Sequence, residues 1–278
     1  MAERVATGIQ GFDSLVEGGL PKGSSVLITG PPGSGKSIFS MQYLYNGAMK
    51  GENGIYVYMD SGLNLLKEQA KQFGWDFDKL EKDGKITFVH APLTKRRFDL
   101  FYGIEDAVKK IDAKRLVFDS LPSFAINMDL FTVPAAYAGA AASTVSISRD
   151  LLATNSSALA ASPKQESDKV VYQGDQQKRL ISIIIDQLRG LDTTNIIVTF
   201  AGSDSSQISS DGVSEYACDG IIRMDIRHIA KKTVRSITVK KMRNTKQELD
   251  DFLLNISDSG LSVARESVFE GSKISGID

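Results

Sequence analysis

Eight consecutive residues constrain this chain more than any other feature. Gly30-Pro31-Pro32-Gly33-Ser34-Gly35-Lys36-Ser37 fits the pattern G-x-x-x-x-G-K-[ST] without exception. Glycines at these spacings let the backbone turn its N–H groups inward around phosphate oxygens. A helix beginning at Lys36 aims its positive N-terminal end at the same anion. Lys36 is then expected to reach the β- and γ-phosphates, and the Ser37 hydroxyl to ligate magnesium. The flanks supply what the motif requires. Ser25 to Thr29 (SVLIT) reads as a buried strand, and Lys36 to Lys50 as the following helix. The predicted ligand is ATP, or a close relative of it, with Mg2+. The motif does not specify which reaction follows.

Short apolar runs alternate with helical patterns through most of the chain. Gly54–Asp60, Ile86–His90, Arg115–Asp119 and Ile196–Phe200 read as strands. Helices are predicted from Leu63 to about Phe73, near Asp99 to Ile111, and from Gln176 to Leu191. Such alternation argues for an α/β fold with a mostly parallel twisted sheet flanked by helices. After Gly220 the runs 221–226, 234–240, 252–256 and 261–264 follow one another without helices. They predict a C-terminal β-meander, antiparallel, on the edge of the parallel sheet. The whole of 1–278 reads as one domain, with no internal repeat.

Asp119 ends the apolar run Leu116-Val117-Phe118. A carboxylate at the C-terminal end of a buried parallel strand points into the crevice where ligands bind. It is therefore the candidate second group in the metal shell, although an Asp at that place also suits the start of a turn.

Composition narrows the function classes. Hydrophobic residues make up 42% of the chain and the formal net charge is −1, so nothing global draws it to nucleic acid or acidic lipid. The one cysteine, Cys218, excludes an intramolecular disulfide and fits a reducing cytoplasm. No run is long and apolar enough to predict a membrane span, and residues 1–8 carry no signal-peptide core. His90 and His228 are too isolated to predict a metal site. Trp75 reads as a packing anchor, and Tyr45, Tyr56 and Tyr58 as core.

Several segments together resemble the KaiC-like branch of the RecA superfamily. They are Thr7-Gly8-Ile9-Gln10-Gly11-Phe12-Asp13, Gly18-Gly19-Leu20-Pro21-Lys22-Gly23, Phe73-Gly74-Trp75-Asp76 and Asp119-Ser120. Gly212-Val213-Ser214-Glu215-Tyr216 with Asp219, and Lys241-Met242-Arg243-Asn244-Thr245, complete the set. The resemblance implies a RecA-like P-loop NTPase fold and a homo-oligomeric ring, usually a hexamer, with ATP between subunits. It also implies that Lys241 and Arg243 reach across to the next subunit's nucleotide, an arginine-finger arrangement. The leading functional reading is a KaiC-like ATPase whose ring regulates partner proteins through its nucleotide state. The family usually has paired glutamates after its second strand, one of which positions the attacking water. Here those positions fall on Asp60 and Ser61. Aspartate is one methylene shorter, so slow hydrolysis and no hydrolysis both stay open.

Two segments carry further readings. Between Thr132 and Val170, 10 Ala, 7 Ser and 3 Thr fill 20 of 39 positions, too little apolar area for an ordered core. This Ala/Ser-rich insertion is expected to be flexible; a partner-docking or pore-facing loop is the sharper alternative. From Arg223 to Lys246 nine basic residues face one acid, Asp225. A solvated face, a ring interface and a DNA-binding strip all suit that charge, though aromatics for stacking on single strands are missing. A RadA-paralogue-like recombination accessory protein and a nucleotide-gated scaffold without hydrolysis are the competing functional readings.

Overall fold

The computed structural model describes residues 3–59, 62–91, 97–121, 166–202, 207–229 and 232–267. Asp60 and Ser61, most of the Ala/Ser-rich stretch and Lys231 lie outside these residues. The chain opens with a short antiparallel pair, β1 (Arg4–Val5) and β2 (Leu20–Pro21), around a 3-10 turn at Asp13–Val16. Then come β3 (Ser25–Thr29), α1 (Lys36–Met49), β4 (Gly54–Tyr58), α2 (Leu63–Gln72) and α3 (Phe77–Lys82). They are followed by β5 (Ile86–His90), α4 (Arg97–Ile111), β6 (Arg115–Asp119), α5 (Glu166–Arg189) and β7 (Thr194–Val198). The last elements are α6 (Ser214–Ala217), β8 (Gly220–Ile229), β9 (Lys232–Met242), β10 (Phe252–Ser257) and β11 (Gly260–Ser267).

Nine strands form one sheet in the order β11-β10-β9-β8-β3-β7-β6-β4-β5. The six from β8 to β5 run parallel, and β9, β10 and β11 pair antiparallel. The meander therefore begins inside the parallel array, because β8 pairs in parallel with β3 before turning into β9. Strands covered on both faces need apolar residues in both alternating sets. SVLIT of β3 is buried at every position. Val26 and Ile28 join one core with Phe39, Tyr43 and Leu44 of α1; Leu27 joins the other with Ile184, Ile185 and Leu188 of α5.

Two boundaries differ from the sequence reading. α5 starts at Glu166, ten residues before the predicted Gln176, because the polar run before Gln176 lacks the apolar stripe that periodicity detects. β7 runs 194–198 rather than 196–200. Asn195 at its start is polar yet fully buried, its amide donating to Ser25 Oγ (3.1 Å) and the Leu188 carbonyl (3.0 Å). A satisfied polar side chain can enter a core, and apolar counting overlooks it.

A fully buried arginine ties the layers together. Arg115, at the start of β6, donates to Glu52 (Nε, 2.7 Å), the Tyr43 carbonyl (2.7 Å) and the Ala6 carbonyl (2.8 Å), with its guanidinium 4.5 Å from the Tyr43 ring centre. Gln42 of α1 makes a second tie, accepting from Leu261 N–H (2.7 Å) and donating to its carbonyl (3.2 Å). Helix α1 is thereby fixed to the terminal hairpin.

Candidate nucleotide site

Parallel strands deliver their following loops to one edge of the sheet, and that edge carries the site. The loop after β3 is residues 30–35. Gly30 has φ +152°, and a Cβ there would stand 2.0 Å from the Met224 carbonyl oxygen of β8. Glycine is thus required both for the conformation and for the close approach. Gly35 serves as N-cap of α1 without any side-chain cap, so the first N–H groups of the helix remain available to an anion.

Lys36 is buried, and its amine donates to the carbonyls of Gly30 (2.7 Å) and Pro31 (2.9 Å). Burial pushes its pKa below the ordinary lysine value, opposed by the nearby Asp119 carboxylate. The Ser37 hydroxyl donates to Asp119 Oδ2 (3.3 Å), joining the two residues assigned to the metal across 82 positions of sequence. Ser34 Oγ is buried and is without a partner inside the loop. Pro31, Pro32 and Gly33 complete the turn, and the Gly33 carbonyl accepts from Arg235 Nε of β9 (3.0 Å).

These residues fit a magnesium nucleotide: a glycine cradle, a buried unpaired hydroxyl, an uncapped helix end, and a hydroxyl beside a carboxylate. Phosphate oxygens would take the Lys36 amine and the α1 N–H groups. Ser37 and Asp119 would hold Mg2+, directly or through water, in keeping with a cation that keeps most of its ligands as water and phosphate. The metal would supply charge neutralisation between the phosphates.

Three contributors escaped the sequence reading. Tyr56 is core, as expected, but its hydroxyl also donates to Asp119 Oδ2 (2.6 Å). Phe200, just after β7, lies with its ring centre 5.5 Å from the Lys36 amine. Arg235 had been counted only within a basic run. An amphipathic tyrosine in a buried strand was the one signal available; the other two arise from strand pairing.

The basic run does not form a uniform strip. Arg223 pairs with Asp225 (2.8 Å), Arg227 with Asp251 (2.6 Å), and Arg235 with the phosphate loop. Lys241 and Arg243 sit at the C-terminal end of β9, opposite Ile221 and beside Asp219, at the far edge of the sheet from the phosphate loop. Arg243 N–H donates to the Asp219 carbonyl, and Asp219 N–H to that of Ser25. Five strand residues separate Ser25 from Gly30, about 16 Å at the usual rise. The structure therefore does not bring this pair to its own chain's phosphate loop. Lys241 donates to the carbonyls of Glu215 (3.1 Å) and Cys218 (2.7 Å), and burial followed by the Arg243 charge lowers its pKa. The loop before α6 is organised by Asp211, which accepts from Val213 and Ser214 N–H (2.8 and 2.7 Å). At the N-terminus Asp13 accepts from Thr7 and Gly8 N–H (2.8 and 2.9 Å), and the ring of the adjacent Phe12 meets Phe39 of α1.

A protein-family model described as the KaiC ATPase matches residues 5–131 and 171–268. The chain belongs to the KaiC ATPase family. The residues that the KaiC model leaves unmatched between these segments, 132–170, are the Ala- and Ser-rich stretch. Relatives named UPF0273 protein include one from Aeropyrum pernix, 31% identical, covering 96% of each chain. Another, from Thermotoga maritima, is 30% identical over 98% of this chain and 100% of its own. The crystal structure of a KaiC-like protein from Pyrococcus horikoshii aligns with TM-score 0.69 and 29% identity over 95% of this chain and 100% of the other. The RecA-like, mostly parallel sheet with an antiparallel C-terminal portion is thus the KaiC fold. Among the described residues no helix is long and apolar enough to cross a membrane.

Proposed function

We propose that the chain binds ATP with Mg2+ and hydrolyses it slowly, within a homo-oligomeric ring of the cytoplasm that regulates a partner protein through its nucleotide state. The observation that carries the reading is the meeting of Ser37 with Asp119 beside the loop that holds Lys36. Residues 1–278 act as one domain in this reading. The loop from Gly30 to Ser37 binds the phosphates. Asp119 completes the metal shell, and Asp60 orients the attacking water.

Lys241 and Arg243 reach the neighbouring subunit's nucleotide. Their position at the far edge of the sheet supports delivery in trans, since they lie too far from the chain's own loop. Family membership supports hexameric closure. The DNA-binding alternative is the weaker one, because Arg223, Arg227 and Arg235 are engaged within the chain.

The test is single-turnover ATP hydrolysis beside a Lys36→Ala control, with particle size recorded. Phosphate release that Lys36→Ala abolishes is the expected result. Binding and assembly without phosphate release would replace the enzyme by a nucleotide-gated scaffold.

A further inference from the structure

Asp219 stands at the junction of three elements, and its bonds go beyond what holding a chain reversal requires. One oxygen, Oδ1, accepts from Arg243 NH1 (3.0 Å). The other, Oδ2, accepts from Ser25 N–H (3.0 Å) and lies 3.5 Å from Arg189 Nε. Its backbone is equally engaged, with Asp219 N–H donating to the Ser25 carbonyl (2.8 Å) and its carbonyl accepting from Arg243 N–H (2.9 Å). The carboxylate is 18% exposed, whereas the Arg243 side chain is 56% exposed. A fixed anion thus holds a cation that is otherwise free in solvent.

An exposed arginine loses rotamer freedom when it is fixed on a ligand. A charge-assisted hydrogen bond to a rigid acceptor removes part of that loss beforehand. The bond to Asp219 uses one of the five N–H donors of the guanidinium, so the remaining donors suffice for a phosphate. Lys241 has no such support from Asp219; its amine is turned to two carbonyls.

We infer that Asp219 is the positioning residue for Arg243, holding it in register with Ser25 for use on a neighbouring subunit's nucleotide. This rests on the trans role proposed above. Ser25 begins β3, the strand that leads into Gly30. The cation offered to the neighbour and the chain's own phosphate loop are therefore attached to opposite ends of one short buried strand.

The experiment is a double-mutant cycle of Asp219→Asn and Arg243→Ala in the full chain. Its readouts are affinity for a fluorescent non-hydrolysable ATP analogue with Mg2+, particle size, and thermal melting. Asparagine keeps an oxygen for Ser25 N–H and removes the charge that Arg243 meets. Asp219→Asn should weaken binding about tenfold when Arg243 is present and change nothing further in Arg243→Ala. An equal loss in both backgrounds would show a purely structural residue and overturn the inference, as would no loss in either. Should Arg243→Ala itself leave affinity unchanged, the trans reading falls first and this inference with it. If Asp219→Asn melts before it can be measured, Asp219→Glu, which keeps the charge and displaces it by a methylene, completes the same cycle.

Discussion

Gly47 offers a sharp test of the packing account, because two principles give opposite signs there. It lies inside α1 with an ordinary helical backbone, where replacing glycine by alanine usually stabilises by about 1 kcal/mol. A Cβ on Gly47 would, however, stand 2.3 Å from Arg115 Nε and 2.4 Å from its Cδ. Those atoms belong to a fully buried side chain, so they cannot move into solvent. Moving the guanidinium disturbs its bonds to Glu52, Tyr43 O and Ala6 O. Hydrogen bonds from a charged group contribute about 1.5–3 kcal/mol each. Losing one or two of them outweighs the helix gain, for a net destabilisation of about 0.5–5 kcal/mol, with a midpoint near 3. At about 2–4 °C per kcal/mol for a chain of this size, 3 kcal/mol lowers Tm by about 6–12 °C. Urea unfolding of Gly47→Ala should show a lower midpoint with an unchanged slope. A midpoint equal to or above the parent's would mean that helix propensity governs the site and that Arg115 is not rigidly held.

Further outcomes follow from three side chains, Lys36, Tyr56 and Cys218. Lys36 has a depressed pKa in the free protein and should regain its proton against phosphate, so nucleotide binding takes up a proton and weakens as pH rises through the depressed value. Calorimetry in buffers of different ionisation enthalpy checks this; no proton uptake at alkaline pH would contradict it. In the folded chain without nucleotide the sign is reversed: the unfolded state binds more protons between the depressed pKa and 10.5, so Lys36 adds stability as pH rises through that window. Tyr56→Phe removes a 2.6 Å bond to Asp119 and should weaken the Mg2+ dependence of nucleotide binding about tenfold, with melting little changed; an unaltered Mg2+ titration would argue against Tyr56 as a support for that carboxylate. Burial, with Asp219 adding to it, pushes the Cys218 thiol up to about 12, so iodoacetamide at pH 8 should label it only as fast as the chain unfolds. Rapid labelling of the native protein would refute that burial.

The phosphate loop and its flanking elements were legible because the motif is local: β3 and α1 adjoin it in sequence and carry their own periodicity. Asp119 was legible for a similar reason, as an acid closing an apolar run. Tyr56 was half legible. Its burial shows in the strand pattern, but the reach of its hydroxyl to Asp119 depends on β4 lying beside β6. The insertion of β7 between β3 and β6 could not be read at all, since strand order is a long-range choice that neighbouring residues do not encode. Arg235 shows the same limit. Charge alone grouped it with Arg223 and Arg227, and alternation along β9 instead turns it toward Gly33. Asp60 falls outside the described residues, so its place beside the phosphates stands on the resemblance alone.

The separation of the phosphate loop from Lys241 and Arg243 has an arithmetic consequence. A body with its anion cradle at one edge and its spare cations at the other has a front and a back. In an open row of n bodies joined front to back, n − 1 sites are complete and one cradle stays half-built. On the proposed trans role, closing that row gives every cradle its cations. Dilution that opens the assembly would then remove sites in proportion to its ends, and nucleotide affinity would depend on protein concentration even at saturating magnesium.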